Sequence, residues 1–196
     1  MKRLCVFCGS SEGAHPEYAE AAARLGHELA ARGIGLVYGG GGIGLMGVVA
    51  RACLERDGEV IGVIPEALAA KELALASLRD LRVVASMHER KALMAELSDG
   101  FVALPGGLGT IEEFFEVLTW AQLGIHGSPC GLLNVGGYFD KLIEFLAYTA
   151  KQRFIKEEHL SMVLVDDDVE SLLDRCESYK PPHLDKAGWV LTMAQS

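Results

Sequence analysis

Three short stretches of this chain combine residue types that could handle a phosphate and the charge beside it. In Pro105-Gly106-Gly107-Leu108-Gly109-Thr110-Ile111-Glu112-Glu113, three glycines stand immediately ahead of a helical pattern. Amides bared by such a turn can approach a phosphate closely, and the start of the helix adds positive potential. Glu112, Glu113 and Glu116 crowd the first turns, where the helix dipole favours acids. Thr110 also fits a helix N-cap, with Glu113 three residues on as its return partner. A purely structural role is therefore open to both, although three glycines are more than a cap requires.

The second stretch is a glycine run from Tyr38 to Gly47. Gly39, Gly41 and Gly44 satisfy G-x-G-x-x-G, so a dinucleotide site has to be weighed. The run follows the second strand pattern, not the first, and Glu66, behind Pro65, is a poor match for the acid that should hold a ribose. The third stretch is Ser86-Met87-His88-Glu89-Arg90-Lys91. Ser86 and Glu89 suit a capping box. Arg90 and Lys91 then fall near a helix start, where cations are disfavoured unless an anion binds there. Arg90 also shares a helical face with Met94 and Leu97, which turns it toward the core side. A guanidinium so placed needs a carboxylate or a ligand as partner.

The elements that must position these stretches alternate along the whole chain. Strand patterns occupy Leu4–Cys8, Leu36–Tyr38, Val60–Ile64, Leu81–Val84, Phe101–Leu104, Gly131–Asn134 and Met162–Val165. Helical patterns occupy Glu17–Ala31, Leu45–Arg56, Met87–Leu97, Ile111–Gln122, Phe139–Lys151 and Val169–Ser178. Strands that read as unbroken apolar runs are covered on both faces, as in a parallel sheet. The chain is thus expected to be α/β, a Rossmann-like, doubly wound parallel sheet in one domain over residues 1–180. Residues 181–196, beginning at Pro181-Pro182, are expected to form a peripheral tail. In such folds ligands sit beyond the carboxyl ends of the strands. Gly9-Ser10-Ser11 and the two glycine stretches lie there.

Bulk properties narrow the partners. The net charge of −9 argues against a nucleic-acid backbone, though one local cationic site can still hold one phosphate. No apolar run is long enough to span a bilayer, and the N-terminus lacks the apolar length of a signal peptide. Cys5 and Cys8 form a C-x-x-C inside a strand pattern with no second ligand pair, so no metal is expected. Buried thiols in a reducing cytoplasm are the expectation for the five cysteines.

Taken together, the stretches resemble the Lonely guy family, the cytokinin riboside 5′-monophosphate phosphoribohydrolases, whose members often carry a "lysine decarboxylase-like" label. The PGGxGTxxE signature is complete from Pro105 to Glu113. The YGGGxxGLMG pattern runs from Tyr38 to Gly47 with one additional glycine, the RK pair is Arg90-Lys91, and Trp120 to His126 also looks like the family. The resemblance implies a homodimer without cofactor or metal that hydrolyses a nucleoside 5′-monophosphate to free base and ribose 5-phosphate. By motif position it makes Arg90 and Glu113 the catalytic pair. Substrate contacts fall on Gly9 and Ser10; on Gly41, Gly42, Gly44 and Met46; and on Lys91, Gly106, Gly107, Gly109 and Thr110. Glu72 matches a position near the sugar or base.

That chemistry suits the residue types. N-glycosidic cleavage passes through an oxocarbenium-like state, which a carboxylate such as Glu113 can stabilise, or it can activate water. Arg90 can stabilise the departing base but is a poor proton donor. If Glu113 is accessible at the surface, Glu113→Gln should barely change stability. The rival readings are a non-catalytic nucleotide binder or carrier, a dehydrogenase, and a pyridoxal phosphate decarboxylase for which Lys91 is the only lysine nearby. A carrier would not need Arg90 and Glu113 together.

Overall fold

Period-two burial along the strands sets up two cores on one sheet. In the first strand, β1 (Arg3–Phe7), Leu4 and Val6 face one layer while Cys5 and Phe7 face the other. This computed structural model describes residues 1–69, 74–75 and 77–182; residues 70–73, 76 and 183–196, which include most of the expected tail, lie outside the described residues. After β1 come α1 (Pro16–Ala31), β2 (Gly35–Tyr38), α2 (Gly44–Leu54), β3 (Val60–Pro65), α3 (Glu66–Ala69), β4 (Asp80–Val84), α4 (Met87–Glu96) and β5 (Gly100–Ala103). The chain continues through α5 (Leu108–Leu123), β6 (Cys130–Leu133), α6 (Asp140–Lys151), α7 (Glu157–Leu160), β7 (Val163–Asp166) and α8 (Val169–Ser178).

The strands form one sheet in the order β4-β3-β2-β1-β5-β6-β7, with every pairing parallel. Each expected strand lies within one residue of the observed one at both ends. Helices α1, α2 and α8 cover one face through Leu25, Leu29, Val49 and Leu172. Helices α4 and α5 cover the other through Met94, Phe114 and Val117. Burying side chains of this size contributes about 1.5–3 kcal/mol each. Among the described residues no helix is long and apolar enough to cross a membrane.

The order in which strands are added to this parallel sheet reverses between β1 and β5. From β1 the path turns through α1 to β2 on one side; from β5 it turns through α5 to β6 on the other. The loops therefore diverge beyond the carboxyl ends of these two adjacent strands and leave a crevice, the usual ligand position in an open α/β sheet.

Candidate active site

The crevice is floored by backbone. Leu104 N–H donates to Phe7 O at 2.9 Å, and Gly9 N–H donates to Pro105 O at 3.1 Å, so the loops after β1 and β5 are tied edge to edge. Above them lies a cavity of about 240 Å³ lined by Phe7, Cys8, Gly9, Ser10, Gly39, Met46, Arg90, Gly107, Leu108, Gly109, Thr110 and Glu113. A roomier hollow of about 700 Å³, bordered by Arg51, Glu55, Asp57, Glu59, Arg79 and Asp80, opens at the opposite end of β3 and β4. It lies away from the glycine loops and its charges are of both signs.

Arg90 reaches the cavity from α4, on the same face of the sheet as α5. Ser86 caps α4: its Oγ accepts from Glu89 N–H at 3.1 Å, and the Glu89 carboxylate reaches back to Ala85 N–H at 2.9 Å, one residue before the cap itself. Arg90 then turns inward and is only 7% exposed. Its Nε donates to Val63 O of β3 at 3.1 Å, and its Nη1 lies 3.1 Å from Glu113 Oε1. The carboxylate partner expected for this buried cation is therefore Glu113. Gly39, at the end of β2, makes room for it: a Cβ there would collide with Arg90 Nη2 and approach Met46 Sδ to 3.1 Å.

The start of α5 corrects the capping expectation. The helix begins at Leu108 with Gly107 as its cap, so Thr110 is already in the third helical position and caps nothing. Thr110 is 5% exposed and its side chain packs against Gly106. Glu113 is likewise buried, not surface-accessible. The first intrahelical bond is Ile111 N–H to Gly107 O, which leaves the amides of Leu108, Gly109 and Thr110 without intrahelical acceptors at the cavity wall. A Cβ at Gly107 or Gly109 would meet nothing within 4 Å. Glycine at those two positions is not demanded by packing within the chain, and it keeps the wall open to a ligand.

The remaining expected site residues divide. Gly9, Ser10 and Met46 line the cavity. Gly41, Gly42 and Gly44 shape the loop without lining it. Gly41 bridges to Ala74, Gly42 O accepts from Arg51 Nη1 at 2.9 Å, and Gly44, with φ of +57°, packs against the backbone of Ser10. Gly106 borders a neighbouring hollow of about 300 Å³ beside Tyr18 and Tyr138. Lys91 is absent from the lining; its Nζ lies 3.0 Å from both Glu112 and Glu116, whose hydrogen bonds hold its pKa above the usual value. Glu72 lies outside the described residues. Cys8, Met87 and Tyr138, which sequence reasoning left without a role, border the site. Met87 Sδ stands 3.9 Å from Arg90 Nη1, and Tyr138 Oη donates to Gly106 O at 2.7 Å.

The thiols are buried away from the cavity solvent or held in their protonated form. All five cysteines are free and buried, and burial pushes the Cys5 and Cys8 pKa values well up, with the Glu113 charge adding to the effect. The Tyr38 hydroxyl is also buried, has no partner among the described residues, and is kept protonated by desolvation. Among the described residues no group of three or more His, Cys, Asp or Glu could hold a metal ion.

The fold is doubly wound α/β, and in its crevice a helix N-terminus faces a buried Arg–Glu pair. Comparison with known proteins gives the family. Residues 46–176 match the family described as "Possible lysine decarboxylase". The chain is 52% identical over 181 residues to the probable cytokinin riboside 5′-monophosphate phosphoribohydrolase LOGL9 of Oryza sativa subsp. japonica, covering 92% of this chain and 80% of the relative. It is 48% identical over 183 residues to the cytokinin riboside 5′-monophosphate phosphoribohydrolase LOG3 of Arabidopsis thaliana, covering 93% and 85%. Among solved structures, the molybdenum cofactor carrier protein of Chlamydomonas reinhardtii superposes with a TM-score of 0.68 at 22% identity, covering 90% of this chain and 97% of that one. That likeness is one of fold. The chain belongs to the cytokinin riboside 5′-monophosphate phosphoribohydrolase family.

Proposed function

We propose that this protein hydrolyses the N-glycosidic bond of adenine-type nucleoside 5′-monophosphates, with or without an N6 substituent, to free base and ribose 5-phosphate. The observation that carries the reading is the Arg90–Glu113 pair, buried at 3.1 Å in the same cavity as the open N-terminus of α5. The phosphate takes the amides of α5 and the glycine turn before it. The anomeric carbon then lies against Glu113. As the C–N bond breaks, its electron pair leaves with the base, and Glu113 stabilises the oxocarbenium ion or takes a proton from the attacking water. Hydroxide from that water ends on the sugar and its proton, in net, on the base. Arg90 orients Glu113 and stabilises charge gathering on the leaving base. A carrier on the same fold has no need of a buried ion pair in its cavity.

The phosphate reading predicts that AMP and its N6-modified analogues release free base with kcat/KM at least roughly a hundredfold above adenosine, since remote binding energy positions the reacting bond. EDTA should leave the rate unchanged. Equal efficiency on adenosine, or loss of activity on chelation, would contradict phosphate anchoring without a metal.

We further propose a homodimer in the cytoplasm, where reducing conditions suit five free thiols. Helix α5 turns Phe114, Val117 and Ala121 to the core while Phe115, Leu118 and Trp120 remain partly covered. Leu123 and Ile125 beyond them are 59% and 67% exposed. An apolar surface of this kind usually marks an interface. Light scattering at micromolar concentration should give twice the 21.1 kDa chain mass; a monomer would rule the dimer out.

A further inference from the structure

We propose that Tyr138 is a positioning residue that aims the Gly107 amide at the phosphate, an inference that rests on the phosphate reading above. Tyr138 lies in the loop between β6 and α6, outside every motif singled out in the sequence. Its hydroxyl donates to Gly106 O at 2.7 Å. The carbonyl of Gly106 and the N–H of Gly107 belong to one peptide unit, which is planar and trans. In a trans peptide these two groups point in opposite directions. Holding the carbonyl toward Tyr138 therefore turns the Gly107 N–H away from it. Gly106 and Tyr138 border the 300 Å³ hollow, whereas Gly107 borders both that hollow and the cavity with Arg90 and Glu113. The peptide is thus part of the wall between them, its carbonyl on one side and its N–H on the other.

Two glycines in succession give this turn no side chain with which to hold its own orientation. The preceding carbonyl, Pro105 O, is fixed by Gly9 N–H at 3.1 Å. Tyr138 supplies the second anchor, and a hydrogen bond to the carbonyl also polarises the peptide, making its N–H a better donor. The ring itself is braced. Tyr138 packs edge-on against Tyr18 at 5.6 Å and against Phe139 at 5.0 Å, and Tyr18 packs edge-on against His15 at 5.6 Å. A tyrosine that is 42% exposed is thereby held in one place by aromatic contacts from α1 and from its own loop.

Tyr138→Phe keeps those ring contacts and removes only the anchor. For AMP, KM should rise about tenfold with kcat within about twofold, the size expected for one neutral hydrogen bond. Adenosine hydrolysis and the melting temperature should stay as in the wild type. In parallel, ribose 5-phosphate titrated into 15N-labelled protein should shift the Gly107 amide of the wild type, with about tenfold weaker binding in Tyr138→Phe. Equal AMP kinetics and equal ribose 5-phosphate affinity in the two proteins would overturn the role of Tyr138 alone. Equal losses with AMP and adenosine, alongside a lower melting temperature, would overturn it in favour of general support of the fold. A wild type that neither binds ribose 5-phosphate nor cleaves AMP would overturn the phosphate reading, and this inference with it.

Discussion

Glu113→Gln should lower base release by about a hundredfold or more, the scale for losing one well-placed electrostatic group. Glutamine keeps the shape of the side chain and removes its charge, so the positive sugar carbon loses its stabiliser and the attacking water its base. The same substitution has a second effect. Glu113 is buried against Arg90, and glutamine would leave that guanidinium without a counter-charge there, among neutral acceptors such as Val63 O and the weakly accepting Met87 Sδ. Removing one partner of a buried pair costs on the order of 3 kcal/mol, or roughly 10 °C in a protein of this size. This replaces the near-silent effect expected of an accessible glutamate. Base release and thermal unfolding should therefore both move. A folded variant with near-normal turnover would reduce Glu113 to a structural role.

Gly39→Ala should cost comparable activity, about a hundredfold, while leaving the fold largely intact. The new methyl would occupy the place of Arg90 Nη2. That atom is the far end of a side chain, so the collision is relieved by moving the guanidinium and not by shifting backbone. Neither member of the proposed catalytic pair is altered, yet their 3.1 Å contact is lost or skewed. A misplacement of about 1 Å at reacting groups is enough for an effect of this order. Circular dichroism should be unchanged, and the melting temperature should fall by less than the roughly 10 °C expected of Glu113→Gln, since the displaced guanidinium still has a carboxylate beside it. Full activity in Gly39→Ala would show that the position of Arg90 is not critical.

Strands β1, β2, β3, β5 and β6 were legible because each is an apolar run covered on both faces; the edge strands β4 and β7 are only partly covered and were legible from their place in the β–α alternation. Arg90 was legible as a buried cation seeking a partner because it recurs with Met94 at helical spacing. Its neighbour Lys91 lies outside the cavity lining for a reason the same periodicity contains. Consecutive helical residues differ by about 100° in direction, which turns the Lys91 side chain away from the cavity that Arg90 enters. Lys91 meets Glu112 and Glu116 instead. Thr110 and Glu113 match a capping box in sequence, but tertiary contacts started α5 earlier, at Leu108, and carried both residues inward. Tyr138 left no signal, since its role depends on a contact between loops 32 residues apart. The short helices α3 and α7, with four residues each, carry too few repeats for a period to register.

The floor of the cavity joins parts of the chain that are made far apart in time. Beside the β1–β5 pairing, Lys2 N–H meets Asp99 at 2.6 Å across 97 residues of sequence. On a ribosome, the first four strands emerge before β5, and α5, which bears Glu113, emerges later still. Contacts of such long range form slowly, after the chain has paid the entropy of closing the loop. A half-made copy, or one whose β5 has come loose, therefore has no reaction centre. The proposed activity would arrive only with the completed sheet.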